Sequence, residues 1–137
     1  MGMQNVKHAI SENIMNDRFK FRCYNKNDNT IYDVYSFDKN FIKANPINTC
    51  VNSIRTFKTS DCILMQCTGL KDKNDKPIFE GDWLKTKDGS YCYVVWFNGF
   101  WWVKSLPSEA MDLEHAEFYK ECEIVGNIHE NKELLDE

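Results

Sequence analysis

Six cysteines, three histidines and several spaced carboxylates are the side chains of this chain that could do chemistry. The closest cysteine pair is Cys62 and Cys67 in "CILMQC", which is not the CxxC spacing that a zinc or dithiol site favours. In a strand those two side chains point to opposite faces. Cys23, Cys50, Cys92 and Cys122 are scattered, and the N-terminal "MGMQNVKHAI" has no apolar h-region. Buried free thiols are therefore the expected state. His8, His115 and His129 stand far apart, and Glu114 beside His115 would not share a helix face with it. Cys122 with His129 would be a nucleophile and a base, but no local spacing brings them together. Starting at Asp72, "DKNDKPIFEGD" imitates a calcium loop as far as Asn74. It then puts Lys76 and Pro77 where an oxygen ligand and glycine are required. Glu80 and Asp82 share one strand face, as carboxylates on solvated edges do. Neither GxGxxG nor GxxxxGK(S/T) occurs. The expectation is a protein with no catalytic residue, no metal and no cofactor, not an enzyme.

Binding chemistry is more visible. "YVVWFNGFWWVKS", residues 93–105, sets three tryptophans, two phenylalanines and a tyrosine around Asn98-Gly99. Asn-Gly between apolar runs is a strong hairpin signal. A two-residue turn pairs Phe97 with Phe100, Trp96 with Trp101, Val95 with Trp102 and Val94 with Val103. Alternation then gives one face to Tyr93, Val95, Phe97, Phe100 and Trp102, and the other to Val94, Trp96, Trp101 and Val103. Both faces are apolar, unlike a sheet with one wet side. Either the hairpin is covered on both sides within the molecule, or one face stays open for a partner. Trp and Tyr are the residues enriched at interface hot spots. Trp96, Trp101, Trp102, Phe97 and Phe100 are thus candidate partner-binding residues.

Charge divides along the chain. Residues 1–69 carry nine Lys/Arg and six Asp/Glu, whereas residues 70–137 carry eight and fifteen. Ten acids lie within 105–137, against Lys120 and Lys132. That balance disfavours a broad grip on nucleic-acid phosphates. It allows Glu114 and Glu117 to contribute to a docking surface for a basic partner. The alternative is a nucleic-acid face using Arg18, Lys20, Arg22, Lys85 and Lys87 with neighbouring aromatics.

These residues need elements to hold them. The 137 residues fit one domain, and no apolar run reaches the roughly 18–20 residues that span a bilayer. Val6, Ile10 and Ile14 suggest a short N-terminal helix. "RFKFRCY" (18–24) and "IYDVYSF" (31–37) read as a hairpin across "NKNDNT". In "FIKANPINTC", Pro46 argues against a central strand. "DCILMQC" (61–67) reads as a buried strand, and "KDKNDKP" as a turn before "IFEGDWLKTK". "SYCYVVWF" and "FWWVKS" are the strands of the aromatic hairpin. "PSEAMDLEHAEFYK" (107–120) carries the signals of a helix: proline first, early acids, a closing lysine. "CEIVGNIH" returns to strand, and "NKELLDE" suggests a last helical turn capped by Asn131.

Three blocks resemble one known family. "RFKFRCYNKNDNTIYD" (18–33), "LMQCTGLKDKNDKPIFEGDWLK" (64–85) and "CEIVGNIHENKELL" (122–135) are similar, in that order, to the YopX family of phage and prophage proteins. The matching residues are Phe21-Arg22, Thr68 to Asn74, Ile78, Glu80 to Asp82, Val125 to Ile128 and Glu130-Asn131. Asp75 stands where the family usually has glycine, Trp83 where it has a β-branched residue, Lys132 where it has proline, and Cys23-Tyr24 where it has Ala-Trp. The resemblance implies a mostly β, barrel-containing fold, a bacterial or phage cytoplasmic setting and no assigned catalytic residues. The expected architecture is a mainly β, α+β domain over 18–137, preceded by an extension at 1–17. Residues 62–104 and 121–128 would form a small SH3-like barrel, with the 18–37 hairpin and one or two short helices packed against it. The expected function is that of a phage or prophage accessory protein without catalysis. Its partner would be a host or phage protein, or a second copy of itself, and it would use no membrane.

Overall fold

The structure, a computed structural model, describes residues 20–47, 53–105 and 110–132. Its strands form two antiparallel sheets. The first contains β1 (Phe21–Asn25), β2 (Thr30–Phe37), β3 (Phe41–Pro46), β4 (Arg55–Lys58), β5 (Cys62–Lys71) and β6 (Pro77–Phe79), in the order β4-β3-β2-β1-β5-β6. The second contains β7 (Asp82–Lys85), β8 (Tyr91–Phe97), β9 (Phe100–Ser105), β10 (Ala110–Asp112) and β11 (Glu123–Asn127), in the order β10-β9-β8-β7-β11. Mostly hairpin-scale connections make neighbours in sequence neighbours in space, with β1–β5 and β7–β11 the exceptions.

Period-two alternation sorts the first sheet into two faces. Cys23, Tyr32, Ile42 and Ala44 form one buried cluster, with Phe57 and Leu64 packed on it. On the opposite face Tyr24, Ile31 and Met65 form another. Arg22 pairs in register with Asp33 and with Met65, so it belongs to this second face. In the second sheet Leu84, Cys92, Val94 and Val103 join Ile78, Leu113 and Cys122 in a third cluster. The chain crosses between sheets through Glu80 and Gly81. Glu80 N–H donates to the Gln66 carbonyl (2.9 Å) and Gly81 N–H to the Val94 carbonyl (2.8 Å), one bond to each sheet.

Several expectations are corrected. The strands do not close into an SH3-like barrel; they form two separate antiparallel sheets. The 18–37 hairpin exists as β1–β2, but it is not an appendage. β1 pairs with β5 over five residues and is central to its sheet. Pro46 does not keep its segment out of the interior: β3 lies between β2 and β4. It is tolerated because it ends the strand, beyond the last β3–β4 pair at Ala44 and Arg55. The helix expected over 107–120 is replaced, within the described residues, by β10 and by 3-10 turns over His115–Glu121. Ala116 and Glu117 there have φ of 51° and 55°, which break any continuous α-helix. Residues 107–109 of that segment, the N-terminal helix and most of the C-terminal turn lie outside the described residues. Among the described residues no helix is long and apolar enough to cross a membrane.

Candidate functional site

The aromatic hairpin forms with the register that its turn dictates. Phe97 faces Phe100, Trp96 faces Trp101, Val95 faces Trp102 and Val94 faces Val103. Asn98 and Gly99 both have positive φ (52° and 81°), the combination that a tight turn between twisted strands requires. The two faces have different fates. Val94 and Val103 are fully inside the third cluster, and Trp101 packs half-buried against it. Tyr93, Val95 and Trp102 lie on the other face. They line an apolar groove of about 430 Å³ that runs out to Trp96 and Phe97. At its inner end Tyr93 meets the buried Trp83 edge-on (5.2 Å). At its outer end the side chains emerge: Trp96 is 51%, Phe97 62% and Phe100 57% exposed.

The tip is ordered by its own contacts. Trp96 and Trp101 meet edge to face at 4.7 Å, an arrangement that aromatic pairs prefer. The Trp102 indole N–H donates to the Phe97 carbonyl (3.0 Å), tying the groove wall to the turn. β10 then brings the acidic segment alongside. Asp112 pairs with Trp102, and Leu113 N–H donates to the Trp101 carbonyl (3.1 Å). Glu114 and Glu117 follow as exposed residues, Glu117 paired with Lys120 (3.2 Å). The candidate partner-binding aromatics and the first of these acids thus belong to one end of the second sheet.

Among the described residues, those of the alternative basic face are divided between two clefts. Arg18 lies outside the described residues. Arg22 is turned inward, with 11% of its side chain exposed, and forms an ion pair with Asp82. Its guanidinium also lies 4.6 Å from the Phe79 ring centre. Lys20 lines the same cleft as Arg22, whereas Lys85 and Lys87 line a different one, together with Lys73, Lys120 and the acids Glu121 and Glu123.

The remaining chemical candidates have structural partners. Asp72 is buried; its Oδ1 accepts from the N–H groups of Asn74 and Lys76 (2.9 Å each), and its Oδ2 accepts from Ile124 N–H (3.0 Å). It closes the turn and fastens it to β11. Asp75 there has φ 63°, the left-handed geometry that glycine adopts most readily. Asn127 Oδ1 accepts from His129 N–H (3.0 Å) and Glu130 N–H (2.9 Å), and Asn131 Oδ1 accepts from Asn127 N–H (3.1 Å). A Cβ on Gly126 would stand 2.3 Å from that Asn131 oxygen, so the GNIHEN block needs glycine for space.

Cys122 and His129 are not brought together. The Cys122 thiol donates to the Phe118 carbonyl (3.3 Å) in the third cluster, while His129 stacks on Tyr24 at 5.3 Å. The described cysteines are free thiols. Burial pushes Cys23 and Cys92 up to about 12 and Cys122 to about 11, which suppresses the nucleophilic thiolate. Burial also raises Asp82 to about 6, against the pull of Arg22 and of the Phe79 N–H that donates to its Oδ2 (2.8 Å).

Two features escaped sequence reading. The Arg22–Asp82 bridge joins residues from different sheets, and no local pattern announces it. The second is the exposure of three aromatics at the end of the β2–β3 hairpin, Tyr35, Phe37 and Phe41. The register slips between Val34 and Ser36, leaving Tyr35 as the extra residue of a bulge. That slip puts Phe37 on the same face as Ile42, where it meets Phe21 edge-on (5.1 Å). The excess of aromatics in "IYDVYSF" was the available signal.

The fold resembles the crystal structure of protein EF1440 from Enterococcus faecalis. The match has a TM-score of 0.59 and 26% identity, and covers 85% of this chain and 96% of that one. No curated protein matches significantly. The family model described as YopX protein matches residues 20–136, which include the first sequence block from residue 20 onward, the other two blocks whole and the aromatic hairpin. The chain therefore belongs to the YopX family.

Proposed function

We propose that this protein is a phage or prophage accessory protein that acts without catalysis, by binding another protein through the tip of its β8–β9 hairpin. The partner is a second copy of the chain or a protein of the phage or its bacterial host, met in the cytoplasm. The observation that carries this reading is the exposure of Trp96, Phe97 and Phe100 at the mouth of a continuous apolar groove. Exposed clusters of this kind mark interaction sites more often than they occur by chance. Aromatic anchors surrounded by polar residues are the usual composition of a hot spot. Lys104 lines the groove and Asp112 pairs opposite Trp102, giving the apolar centre a charged border.

The test compares the wild type with a Phe97→Ser/Phe100→Ser variant in sedimentation velocity and in capture from lysate of the bacterial host. Loss of a self-associated species or of a specific captured protein, with thermal unfolding unchanged, supports the reading. Identical behaviour of the two proteins in both assays removes it. The nucleic-acid reading is weaker because Arg22, its central cation, is already committed to Asp82.

A further inference from the structure

The first sheet buries side chains on both faces. Over the face of Arg22, Tyr24 and Met65 lie Asp82 of β7, paired with Arg22, and His129, stacked on Tyr24 at 5.3 Å. On the other face Cys23, Ile42 and Ala44 are 0% exposed and Tyr32 is 3% exposed. The described side chains packed there are those four with Val34, Phe57, Cys62 and Leu64, all from β1–β5 of the same sheet. Neighbours in one sheet shield each other from the side, but an apolar face is sealed from above by a second layer. Among the described residues, this cluster contains no member of such a layer.

Four segments lie outside the described residues. Residues 48–52 are only five, and they must also return the chain from β3 to its neighbour β4. Residues 106–109 link β9 to β10 of the second sheet. Residues 133–137 follow His129, which lies over the opposite face. Residues 1–19 lead directly into Phe21, two residues before Cys23 and so on the same face as it. Their sequence suits a covering layer. Val6, Ile10 and Ile14 repeat at four-residue spacing, with Asn5, His8, Glu12 and Asn16 on the opposite side of a helix. The fourteen residues 3–16 make a helix about 21 Å long. The five strands that carry the cluster span four spacings, about 19 Å. Residues 17–20 reach up to about 14 Å when extended, enough for the return.

We propose that this face of the first sheet is the docking surface for the chain's own residues 3–16, which lie over it as an amphipathic helix. Val6, Ile10 and Ile14 turn toward the cluster of Cys23, Tyr32, Ile42 and Ala44, and Cys62 lies beneath the helix beside Cys23. The family model begins at residue 20, so the covering segment lies outside the region matched to the family. The extension is thereby part of this protein's own core, and its apolar stripe is not free to recruit another molecule. The face belongs to the first sheet and the aromatic hairpin to the second, so this contact is independent of the partner-binding role.

The test is isotope-edited NOE spectroscopy on the full chain. Cross-peaks from the Val6, Ile10 and Ile14 methyls to the Tyr32 and Phe57 rings support the docked helix. Their absence, or cross-peaks to that cluster from Cys50 and Val51 instead, overturns it. A sample mixing labelled and unlabelled protein reads whether the contact is made within one chain. Contacts between copies give the face to a second molecule and overturn the intramolecular cover. Iodoacetamide labelling with peptide mapping is the second readout. Ile10→Asp/Ile14→Asp should speed alkylation of Cys23 and Cys62 about tenfold or more through local opening. Cys92 and Cys122, in the third cluster, should keep their wild-type rates. Glu12→Gln, on the outer side of the helix, should leave all four rates unchanged. Rates at Cys23 and Cys62 that do not respond to the double variant overturn the assignment. If that variant unfolds and all four rates rise together, the wild-type NOE result decides.

Discussion

Arg22 and Asp82 are sixty residues apart in sequence and directly bonded in space, through Nη2 and Oδ1. One stands on β1 of the first sheet and the other opens β7 of the second. The pair ties the two sheets together where the chain crosses between them. Burial charges both partners a desolvation cost, and their attraction offsets that cost only while both are present. Asp82→Leu and Arg22→Met should each destabilise the protein by about 3–5 kcal/mol, since each leaves the other partner's polar group buried and unpaired. The double replacement Arg22→Met/Asp82→Leu should cost clearly less than the sum. Urea unfolding of the four proteins measures the coupling, and additive losses would show that the pair does not act as a unit.

The same carboxylate sets a pH dependence. Its folded pKa is raised to about 6 from 3.8, chiefly by burial. Between those values the folded state binds more protons at Asp82 than the unfolded state does. This residue's contribution to stability is therefore full below about pH 4 and declines as pH rises through about 6. The direct check is a carboxyl carbon NMR titration: the Asp82 midpoint should lie near 6 and move higher when Arg22 is replaced by Met. A midpoint below 4 would mean that the Arg22 charge outweighs burial.

Asp75 holds a backbone conformation that favours glycine. Its φ of 63° is left-handed, and its ion pair with Lys71 is long (3.8 Å) and exposed, so it contributes little. Asp75→Gly should stabilise the protein by roughly 0.5–1 kcal/mol, since relief of the strained backbone outweighs the extra freedom of glycine in the unfolded chain. Gly126→Ala should do the reverse, because the added methyl would collide with Asn131. Thermal unfolding of the two variants should shift in opposite directions.

The sequence made the local elements readable because local elements have local causes. Asn98-Gly99 determined the turn, and the turn determined the pairing of Phe97 to Val103 with their partners. The β1–β2 hairpin followed from alternation on both sides of "NKNDNT". What escaped was whatever depends on residues far apart. Nothing near Asp82 names Arg22, and strand count alone does not separate a closed barrel from two sheets joined at Glu80-Gly81. The 107–120 segment misled because its proline, acids and lysine are helix-end signals. Yet Ala110 to Asp112 complete the edge of the second sheet, and Leu113 is drawn into the third cluster. Tertiary pairing overrode propensity there.

The hairpin itself separates core from surface within a few residues, which makes the interaction proposal testable without a known partner. Trp101 packs on the third cluster and its carbonyl accepts from Leu113 N–H. Trp101→Ala should therefore lower stability by about 2–3 kcal/mol, less than for a fully buried tryptophan. Phe97 and Phe100 face each other at the tip with more than half their surface in solvent. Replacing both by serine removes a cross-strand pair worth less than about 1 kcal/mol. The stability loss and the binding loss should thus belong to different residues: unfolding midpoints fall with Trp101→Ala, while assembly or capture falls with the phenylalanine pair. If Phe97→Ser/Phe100→Ser unfolds the protein as readily as Trp101→Ala does, the tip is part of the fold's support and the groove loses its role as a docking surface.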